Sequence, residues 1–570
     1  MRSLLPGLAL FASGHAALAA FTSLTAKETF ARMTPGWNLG NTLDALPTEG
    51  SWMAPVQNVT FSQIYAEGFR SVRIPITFND HFISDTPNYT VDPAWLSRIN
   101  YVVDAALSTG LFVVVNVHHD SWNWADMAGP KPDIDARKAK FEKLWQQYAS
   151  LLKDKSEKRQ LLSIGLQLQN ERLIFESINE PTGSTQVDAD IVNDLNQRFV
   201  NIVKGSGGNN AQRVVSLPGL NDNAQYLTQW FKPPTGYPAD KWSVQFHYYN
   251  PWDFVMNQWG KTWWGSDADK ALIESEFAPV RGNFSVPILL GEYSTSAPGF
   301  AIEKASAWAW FDTVTRTAVK YSIVPQWWDN GGEYFDRPTG KWHDITTKNI
   351  VMAVVAGKIN SYPYSGNGTV WLKSGASAVP PVYLQYNGNT LKGIYTPSGT
   401  KLTSGKHYTI VSSPLPGFAL TSSYINSLGA TSKLGELGRV IVRLSSGADL
   451  EIDIRRYARP SIPNGTINVS ANSDYGFSYT SNGAKLATVK ALGPNGEYLK
   501  DDWTQWLGPL QAGRINWNGD YSVSEDEKLL IIRGSLLSTI KSFGKPVTLT
   551  WEFWPRTDSS NTATTVVTVT

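Results

Sequence analysis

The segment LIFESINEP (173–181) begins with an apolar run, Leu173 to Phe175, directly before a stretch rich in polar side chains. Such a run suits a strand that is buried on both faces, as in a parallel sheet. The Asn-Glu-Pro triplet then stands where the strand ends, and it includes Glu180. The segment PILLGEY (287–293) repeats this order and places Glu292 near its end. Buried parallel strands with polar carboxyl ends predict an α/β fold whose site lies at that edge of the sheet.

Six further segments between residues 36 and 331 show a strand pattern, and helical periodicity separates most of them. In 93–110 and 138–154, for example, apolar residues recur at three- and four-residue steps. Eight strands, most followed by a helix, in about 340 residues predict a (β/α)₈ barrel. The doubly wound alternative needs a Gly-rich phosphate turn after the first strand, and this sequence has none there. The six segments are 36–41, 71–77, 111–119, 213–219, 242–249 and 323–331.

The chain changes character after residue 364. Short runs of alternating polarity with Asn-Gly and Ser-Gly turns, such as 382–395 and 438–454, predict antiparallel β-sandwiches. A second boundary falls in the Pro-containing stretch 458–463. The predicted organisation is a leader at 1–19, a barrel at 20–364, a sandwich at 365–458 and a second sandwich at 459–570.

Composition excludes several classes of protein. The 570 residues include 50 basic and 49 acidic ones, a net charge of +1, which argues against binding nucleic acid through a general positive field. Cysteine is absent, so disulfides, thiolate nucleophiles and sulfur-ligated zinc are excluded. The seven His show no metal-ligand spacing, and we expect neither a metal nor a cofactor. Aromatic residues make up 12%, which suits either ligand binding or β-rich cores.

The first 20 residues resemble a secretory signal. Arg2 precedes an apolar stretch of the roughly 7–15 residues expected of a signal core, and small residues follow it. We place cleavage near Ala19. No other segment approaches the roughly 20 apolar residues that span a bilayer. The sequence therefore predicts a secreted monomer with no membrane segment.

The stretch 157–173 is longer than a barrel needs between its third helix and fourth strand. Because it precedes a strand, we expect it at the face of the barrel away from the chemistry. An extended helix and an error in the gene prediction both remain open as explanations.

Candidate site residues lie where the predicted barrel strands end, because the βα loops form a cleft there. Glu180 and Glu292 occupy equivalent ends of two strands, so we expect them to face each other across one cavity. Trp327 and Trp328 alternate faces, and we favour Trp328 for the cleft; His119 should point away from its neighbour His118. The other candidates are Arg73, His118, Asn179, His247 and Tyr249.

Two carboxylates that face one cleft, with aromatic side chains and no metal, are what glycosidic cleavage requires. One protonates the leaving oxygen, and the other attacks the anomeric carbon or activates water. We expect Arg73 to hold Glu292 ionised. The charge of Glu292 and a partly dry site should then raise the pKa of Glu180 into the working range of an acid. Asn179 suits a hydrogen bond to a sugar hydroxyl.

Seven motifs in order along the barrel carry a resemblance to glycoside hydrolase family 5, the cellulase A family, and most closely to its endoglucanase and xyloglucanase branch. The resemblance implies that Glu180 is the acid/base and Glu292 the nucleophile of a retaining double displacement. It also implies that Arg73, His118, Asn179, His247, Tyr249 and Trp328 bind sugar or support the nucleophile. The motifs are GWNLGNTLDA (36–45), Arg73-Ile-Pro75, Val117-His-His-Asp120, LIFESINEP (173–181), His247-Tyr-Tyr249, LLGEY (289–293) and WWDNG (327–331).

The tail carries two weaker resemblances. Residues 372–456 resemble an immunoglobulin-like X2 module. The last segment, with INWNGDYSVSEDEKLLI and LTWEFW, is similar to a family 46 carbohydrate-binding module. Together they imply a terminal module that packs near the barrel and extends its cleft.

The sequence thus predicts a secreted retaining endo-β-1,4-glucanase that acts on a β-glucan polysaccharide. Xyloglucan and mixed-linkage glucan are near alternatives as substrates, and mannan is a more distant one. The alternative from another class is a carbohydrate-binding or wall-adhesion protein whose barrel has lost activity. Intact Glu180, Glu292 and Asn179 argue against it, because a degenerate copy should have lost at least one of them.

Overall fold

Eight parallel strands close into a barrel, which confirms the predicted fold class. Each strand pairs with the next along the chain, and the eighth pairs with the first. The computed structural model describes residues 23–57, 59–155, 159–160, 167–168, 172–296, 302–364, 366–462, 465–471, 473–524 and 526–570. The strands are β1 (Gly36–Asn38), β2 (Ser71–Ile74), β3 (Phe112–Val115), β4 (Leu173–Glu176), β5 (Val215–Pro218), β6 (Trp242–Tyr248), β7 (Ile288–Tyr293) and β8 (Ile323–Trp327).

A helix follows each strand and covers the outside of the barrel. On the helix Ile134–Leu152, which follows β3, the side chains of Phe141, Trp145 and Tyr148 repeat at helical spacing and are buried. The ring of Trp145 lies 5.8 Å from that of Phe175 on β4. Burying each such ring contributes roughly 1.5–3 kcal/mol, so this face fixes the helix against the barrel. The helices are α1 (Thr60–Ala66), α2 (Pro93–Ser108), α3 (Ile134–Leu152), α4 (Gln186–Gly205), α5 (Ala224–Trp230), α6 (Asp267–Asn283), α7 (Lys304–Lys320) and α8 (Ile345–Val355).

The amino-terminal face of the barrel is closed by apolar side chains. The short helix Ala26–Phe30 precedes β1, and Phe30 and Met33 pack into a buried cluster with Val114, Ile174 and other strand residues. Polar side chains are instead gathered towards the carboxyl ends of the strands. The fold therefore leaves one face of the barrel for chemistry.

Two β-sandwiches follow the barrel, which we call the middle and the terminal sandwich. Their pairing is mostly antiparallel, although one strand pair in each is parallel. The middle sandwich stacks Tyr362–Pro363, Val382–Gln385, Gly417–Leu420 and Tyr408–Val411 on Thr369–Lys373, Leu450–Tyr457, Gly435–Leu444 and Leu391–Tyr395. The terminal sandwich stacks Thr466–Val469, Thr562–Val569, Val547–Trp554 and Lys485–Leu492 on Tyr475–Ser478, Leu529–Ile532 and Tyr521–Val523, with a helix at Gly534–Phe543.

The middle sandwich shares its core with the barrel. One apolar cluster of buried side chains runs from the barrel strands into this sandwich, whereas the terminal sandwich has a cluster of its own. Lys304 on α7 also forms a 2.8 Å ion pair with Asp453. A break between barrel and middle sandwich would therefore expose apolar surface on both sides.

The terminal sandwich touches the barrel through the loop after β6. Trp259 of that loop donates its ring N–H to Asp501 at 2.9 Å, and its ring lies 4.7 Å from that of Trp503. Arg556 donates to the Gly260 carbonyl at 2.8 Å. The sandwich is thus held beside a loop at the catalytic face, which agrees with what the tail resemblance implied.

Two predictions fall wholly or largely outside the described residues. They are the leader at 1–19 and most of the extra stretch 157–173. Within 157–173, the backbones of 159–160 and 167–168 pair as a short antiparallel ladder, so a helix is excluded at those four positions. In the part of the chain that the structure describes, no helix has the length and apolar character needed to cross a membrane.

Candidate active site

The two predicted carboxylates meet at the mouth of the barrel. Glu292 lies in β7, and Glu180 lies just beyond β4. One oxygen of each and one ring nitrogen of His247 all lie within 4.8 Å of one another. The Glu180 side chain is 27% exposed and the Glu292 side chain 6%. Both acids therefore face one cleft, and Glu180 is the more open to solvent.

Arg73 on β2 joins the two halves of this site. Its guanidinium is fully buried and donates to Glu292 Oε1 at 2.6 Å and to Asn179 Oδ1 at 2.8 Å. Its Nε and Nη2 form a two-pronged contact with Glu176, at 2.7 Å for each oxygen, and its Nη1 also donates to Asn38 Oδ1 at 3.1 Å. Burial opposes the charged form of Arg73, but the charges of Glu176 and Glu292 outweigh it and raise its pKa. One permanent cation thus orients three side chains from β4 and β7.

Glu176 is a site residue that sequence reasoning missed. It is fully buried at the end of β4 and also accepts a 2.8 Å hydrogen bond from Asn116. Burial raises its pKa, but the charge of Arg73 outweighs burial, so the pKa is lowered overall. The available signal was a carboxylate inside the otherwise apolar run LIFES, because a buried charge needs a partner.

Glu292 is held from two sides. Tyr249 donates its hydroxyl to Glu292 Oε2 at 2.9 Å, while Arg73 holds Oε1. Burial and the neighbouring Glu292 charge raise the pKa of Tyr249 well above its ordinary value, so it stays a donor. His118 Nε2 lies 4.0 Å from Glu292 Oε1. Burial lowers the pKa of His118, so this imidazole is neutral at neutral pH.

Glu180 is held through its side chain and its main chain. His247 Nδ1 lies 2.8 Å from Glu180 Oε1. The backbone N–H of Glu180 donates to the buried Asp222 at 2.7 Å. Glu180 itself has φ +36°, a left-handed conformation that costs a non-glycine residue energy. Asp222, which follows β5, was not among the predicted residues.

The pKa of Glu180 shifts opposite to the sequence expectation. Burial alone would raise the pKa of Glu180, but the hydrogen bond and charge of His247 outweigh burial and lower it. Burial raises the pKa of Glu292, and the charges of His247 and Arg73 oppose that shift without cancelling it. His247 is surrounded by carboxylates, which outweigh its burial and raise its pKa to about 9. In the free site, the proton shared by Glu180 and His247 therefore resides on His247.

The structure separates the two adjacent tryptophans. Trp327 is fully buried in the core, whereas Trp328 borders the cleft with its ring parallel to that of His118, 5.7 Å away. Gly40 permits this position, because a Cβ there would lie 2.7 Å from the Trp328 ring. His119 does not point away from His118, since their rings lie 4.4 Å apart. β3 has ended at Val115, so strand alternation no longer applies at these positions.

Two cavities border this site. One, of about 490 Å³, begins at Glu180 and His247 and is lined mainly by polar side chains. The other, of about 310 Å³, lies between Tyr249 and Trp328 on the barrel and Trp517 on the terminal sandwich. Exposed Trp252 borders both. The terminal sandwich thus supplies part of the wall of the cleft.

Two groups of side chains in the described part of the chain have donor atoms close enough for a metal ion. They are Glu180, His247 and Glu292, and Asp44, His118 and His119. In the first group, Arg73 already neutralises Glu292 and would repel a cation. In the second, Asp44 already accepts backbone N–H groups from Asn41 and Thr42. We assign neither as a metal site, and a metal-free reaction remains a prediction.

Known proteins resemble this chain in both sequence and structure. Residues 36–333 match the family described as cellulase, glycosyl hydrolase family 5. Endoglucanase B of Paenibacillus lautus is 29% identical over 566 residues, which cover 95% of this chain and 92% of that protein. A tri-modular subfamily 4 endo-β-1,4-glucanase from Bacillus licheniformis, solved with cellotetraose, has a TM-score of 0.82 and 34% identity, over 96% of this chain and all of that one. The xyloglucan-specific endo-β-1,4-glucanase of Bacteroides ovatus is 29% identical over 369 residues, which cover 58% of this chain and 70% of that protein.

The buried Arg73–Glu176 pair should matter far more for stability than an exposed one. Glu176→Gln leaves the buried Arg73 short of a counter-charge, and we expect the free energy of unfolding of the barrel to fall by about 3 kcal/mol. Asp194→Asn is the matched control, since it removes a partly exposed carboxylate that pairs with Arg198 on α4 and Lys138 on α3, and should cost less than about 1 kcal/mol. Urea unfolding followed by tryptophan fluorescence measures both. Equal losses would contradict the central role of the Arg73 network.

Proposed function

The chain belongs to glycosyl hydrolase family 5 and is an O-glycosyl hydrolase, and we propose that it cleaves internal β-1,4 linkages of a β-glucan with retention of anomeric configuration. The observation that carries the proposal is the pair of carboxylates whose oxygens lie within 4.8 Å of each other. Retaining glycosidases hold two carboxyl groups about 5–5.5 Å apart, whereas inverting enzymes need roughly 6.5–9.5 Å to admit a water. The short separation supports the retaining course.

Glu292 is the nucleophile of this proposal. Arg73 and Tyr249 each hold one of its oxygens, which fixes the carboxylate and stabilises its charge. In the first step, a Glu292 oxygen bonds to the anomeric carbon while the glycosidic C–O bond breaks. The electron pair of that bond goes to the leaving oxygen. The product is a glycosyl ester on Glu292 and a shortened chain.

Glu180 is the acid that protonates the leaving oxygen. In the free site, its proton is held by His247, 2.8 Å away. A bound sugar displaces water from Glu180 and makes its carboxylate costlier, so the proton passes to Glu180 and then to the leaving oxygen. In the second step, Glu180 accepts a proton from water, and that water breaks the ester. The water oxygen bonds to the anomeric carbon as the bond to Glu292 breaks, and the proton then passes from Glu180 back to His247, which returns both acids to their starting states.

Asn179 supports the sugar between the two acids. Its Oδ1 accepts from Arg73 at 2.8 Å, so its NH₂ group is left to donate to a sugar hydroxyl. Such a bond strengthens as positive charge develops on the ring. Trp328, His118 and His247 border the same space and complete the contact with the sugar.

Xyloglucan is the second candidate substrate. The 490 Å³ cavity beside Glu180 lies on the side of the acid and has polar walls that include Asn223, Gln225 and Asn250. A sugar branch near the leaving group would find both room and hydrogen-bond partners there. The Bacteroides ovatus relative described as xyloglucan-specific supports the same reading. No comparable observation favours mannan.

The terminal sandwich takes part in binding polymers in this proposal. Trp517 borders the 310 Å³ cavity together with Tyr249 and Trp328. An aromatic ring at that position offers a stacking surface for a sugar unit away from the cleaved bond. A long chain would contact it, whereas a disaccharide would not reach it.

Export is also part of the proposal, although only the sequence supports it. Residues 1–19 have the pattern of a secretory signal. A polysaccharide substrate is too large to enter a cell, so its hydrolase has to meet it outside. The monomeric state likewise remains a prediction.

Removing either acid should abolish hydrolysis of polysaccharides, and the two variants should differ from each other on an activated substrate. We expect Glu180→Ala and Glu292→Ala to lower sugar release from carboxymethyl-cellulose, lichenan and xyloglucan by at least about 10²–10⁴-fold. On dinitrophenyl cellobioside, whose leaving group needs no proton, Glu180→Ala should still form the glycosyl-enzyme, and azide should restore its turnover. Glu49→Gln is the control, because this loop carboxylate pairs with Arg98 instead. Equal release by wild type and both alanine variants would end the proposal, and inverted product by NMR would end the retaining course.

The activity profile should fall at alkaline pH when His247 loses its proton, at a pKa of about 9. The protonated form is the active one, so activity is present below that pKa and lost above it. In His247→Asn, the proton must reside on Glu180, whose carboxyl has a lower pKa than the imidazole. The alkaline limb of kcat/KM should therefore move to lower pH by roughly one unit or more. An unmoved limb would show that His247 does not hold the proton.

Trp517→Ala should weaken activity on polymers selectively. Loss of a stacked ring costs about 1–2 kcal/mol, a factor of roughly 5–30 in kcat/KM on lichenan or xyloglucan. Activity on dinitrophenyl cellobioside should stay within about twofold. Trp506→Ala is the matched control, because this tryptophan is 82% exposed on the same sandwich and borders neither cavity. Equal effects of both substitutions would argue against a specific subsite at Trp517.

A further inference from the structure

Asp222 is a buried carboxylate between the two groups that handle the proton. It ends the short turn Leu220–Asp222 after β5 and is fully buried. One oxygen, Oδ2, accepts the backbone N–H of Glu180 at 2.7 Å and lies 3.6 Å from His247 Nε2. The opposite nitrogen of that imidazole, Nδ1, faces the Glu180 side chain at 2.8 Å. Asp222 therefore contacts both the main chain of Glu180 and the ring of His247.

The loop that carries Asp222 also grips the loop that carries Glu180. Asn221 donates its backbone N–H to the Pro181 carbonyl at 2.8 Å and its side-chain amide to the Gly183 carbonyl. Asn221, Asp222 and Glu180 all have positive φ, at 56°, 49° and 36°. Strained backbone of this kind persists only where the surroundings hold it. The contacts of the Asp222 loop supply such a hold at Glu180.

The hydrogen bond from the Glu180 N–H to Asp222 does not by itself require a charged acceptor. An asparagine could accept the same N–H without the cost of a buried carboxylate. The other oxygen of Asp222, Oδ1, has no hydrogen-bond partner within the described residues. The cost of the charge is offset only if a cation nearby uses it, and His247 is the adjacent imidazole.

We propose that Asp222 is a positioning residue for proton transfer: it holds the Glu180 main chain in its turn and orients His247, as a cation, with Nδ1 towards the Glu180 carboxyl. This inference rests on the proposed function of Glu180 as acid/base. Gly291 supports the same arrangement, because a Cβ there would lie 2.8 Å from His247 Nε2. The absence of a side chain at Gly291 thus leaves room for the ring edge that faces Asp222.

The charges around His247 agree with this role. Glu180 and Glu292 face Nδ1, at 2.8 and 3.7 Å, and Asp222 faces Nε2. The neighbouring strands and loops add the charges of Arg73 and Glu176. They also carry two further imidazoles, His118, which is neutral at neutral pH, and His119. Burial raises the pKa of Asp222 to about 7, and the charge of His247 opposes that shift. Between this value and the pKa of about 9 for His247, the two groups form an ion pair.

The test separates charge from hydrogen bonding and acid catalysis from folding. Asp222→Asn keeps an oxygen for the Glu180 N–H and removes the charge, whereas Asp222→Ala removes both. Each variant is assayed on phenyl cellobioside, whose leaving group needs a proton, and on dinitrophenyl cellobioside, whose leaving group does not. Asp120→Asn is the matched control, since Asp120 is equally buried in the turn His119–Trp122 after β3 but accepts from Phe78 and Trp124.

We expect kcat/KM of Asp222→Asn on phenyl cellobioside to fall about 10–100-fold, with less than about threefold loss on the dinitrophenyl substrate. Its alkaline limb should move to lower pH, because His247 loses a neighbouring negative charge. Asp222→Ala should lose more on phenyl cellobioside, and Asp120→Asn should shift neither the ratio nor the limb. Equal losses on both substrates with an unmoved limb, or wild-type behaviour, would overturn the proposal. A wild type inactive on both substrates would instead refute the proposed function.

A second measurement keeps the inference testable if a variant folds poorly. The ¹⁵N shifts of the His247 ring, assigned by comparison with His247→Asn, follow its protonation in the wild type and in Asp222→Asn at equal folded fraction. We expect the His247 pKa to fall by roughly one unit or more when the Asp222 charge is removed. An unchanged titration would overturn the role of Asp222 in keeping His247 charged.

Discussion

The contact between Arg73 and its two buried carboxylates is the constraint on which the site depends. Arg73 holds Glu292 at 2.6 Å and Glu176 at 2.7 Å, with no exposed surface of its own. A guanidinium buried without counter-charges would cost several kcal/mol, so these residues stabilise the fold only as a set. The same set holds Glu292, the proposed nucleophile, and Asn179, the proposed sugar ligand. Structure and chemistry at this face of the barrel therefore share one network.

The carboxylates outnumber the cations around the cleft, and this imbalance determines where protons reside. Glu176, Glu292 and Glu180 surround Arg73 and His247, and Asp222 adds a further acid. His247 gains a proton because the surrounding negative charge outweighs its burial. A proton stored on an imidazole beside the acid can reach Glu180 without crossing bulk water. In the proposed mechanism, the site thereby supplies a carboxylate nucleophile and an available proton, although both acids lie in one small volume.

The fold and the two acids could be predicted from the sequence because strand ends are local features. Each barrel strand is a short apolar run, and Glu180 and Glu292 stand directly after or within such runs. The carboxylate of Glu176 within an apolar run was a local signal, but its partner Arg73 and the role of Asp222 depend on contacts between strands distant in sequence. The expected pKa direction of Glu180 was wrong for the same reason, because the expectation left out His247. His119 was misplaced because β3 ends before it.

The sandwiches bear on function because an open barrel face has walls only where its loops provide them. The loop after β6 carries Trp252 and Trp259, one beside the cavities and the other against the terminal sandwich. A sandwich anchored on that loop places Trp517 opposite Trp328 across a cavity. The backbone N–H of Trp517 donates to the Asn257 carbonyl of this loop at 3.4 Å. Asn516 accepts the backbone N–H of Trp259 at 3.0 Å. The position of Trp517 relative to the acids is thus determined by contacts of the terminal sandwich with the loop after β6.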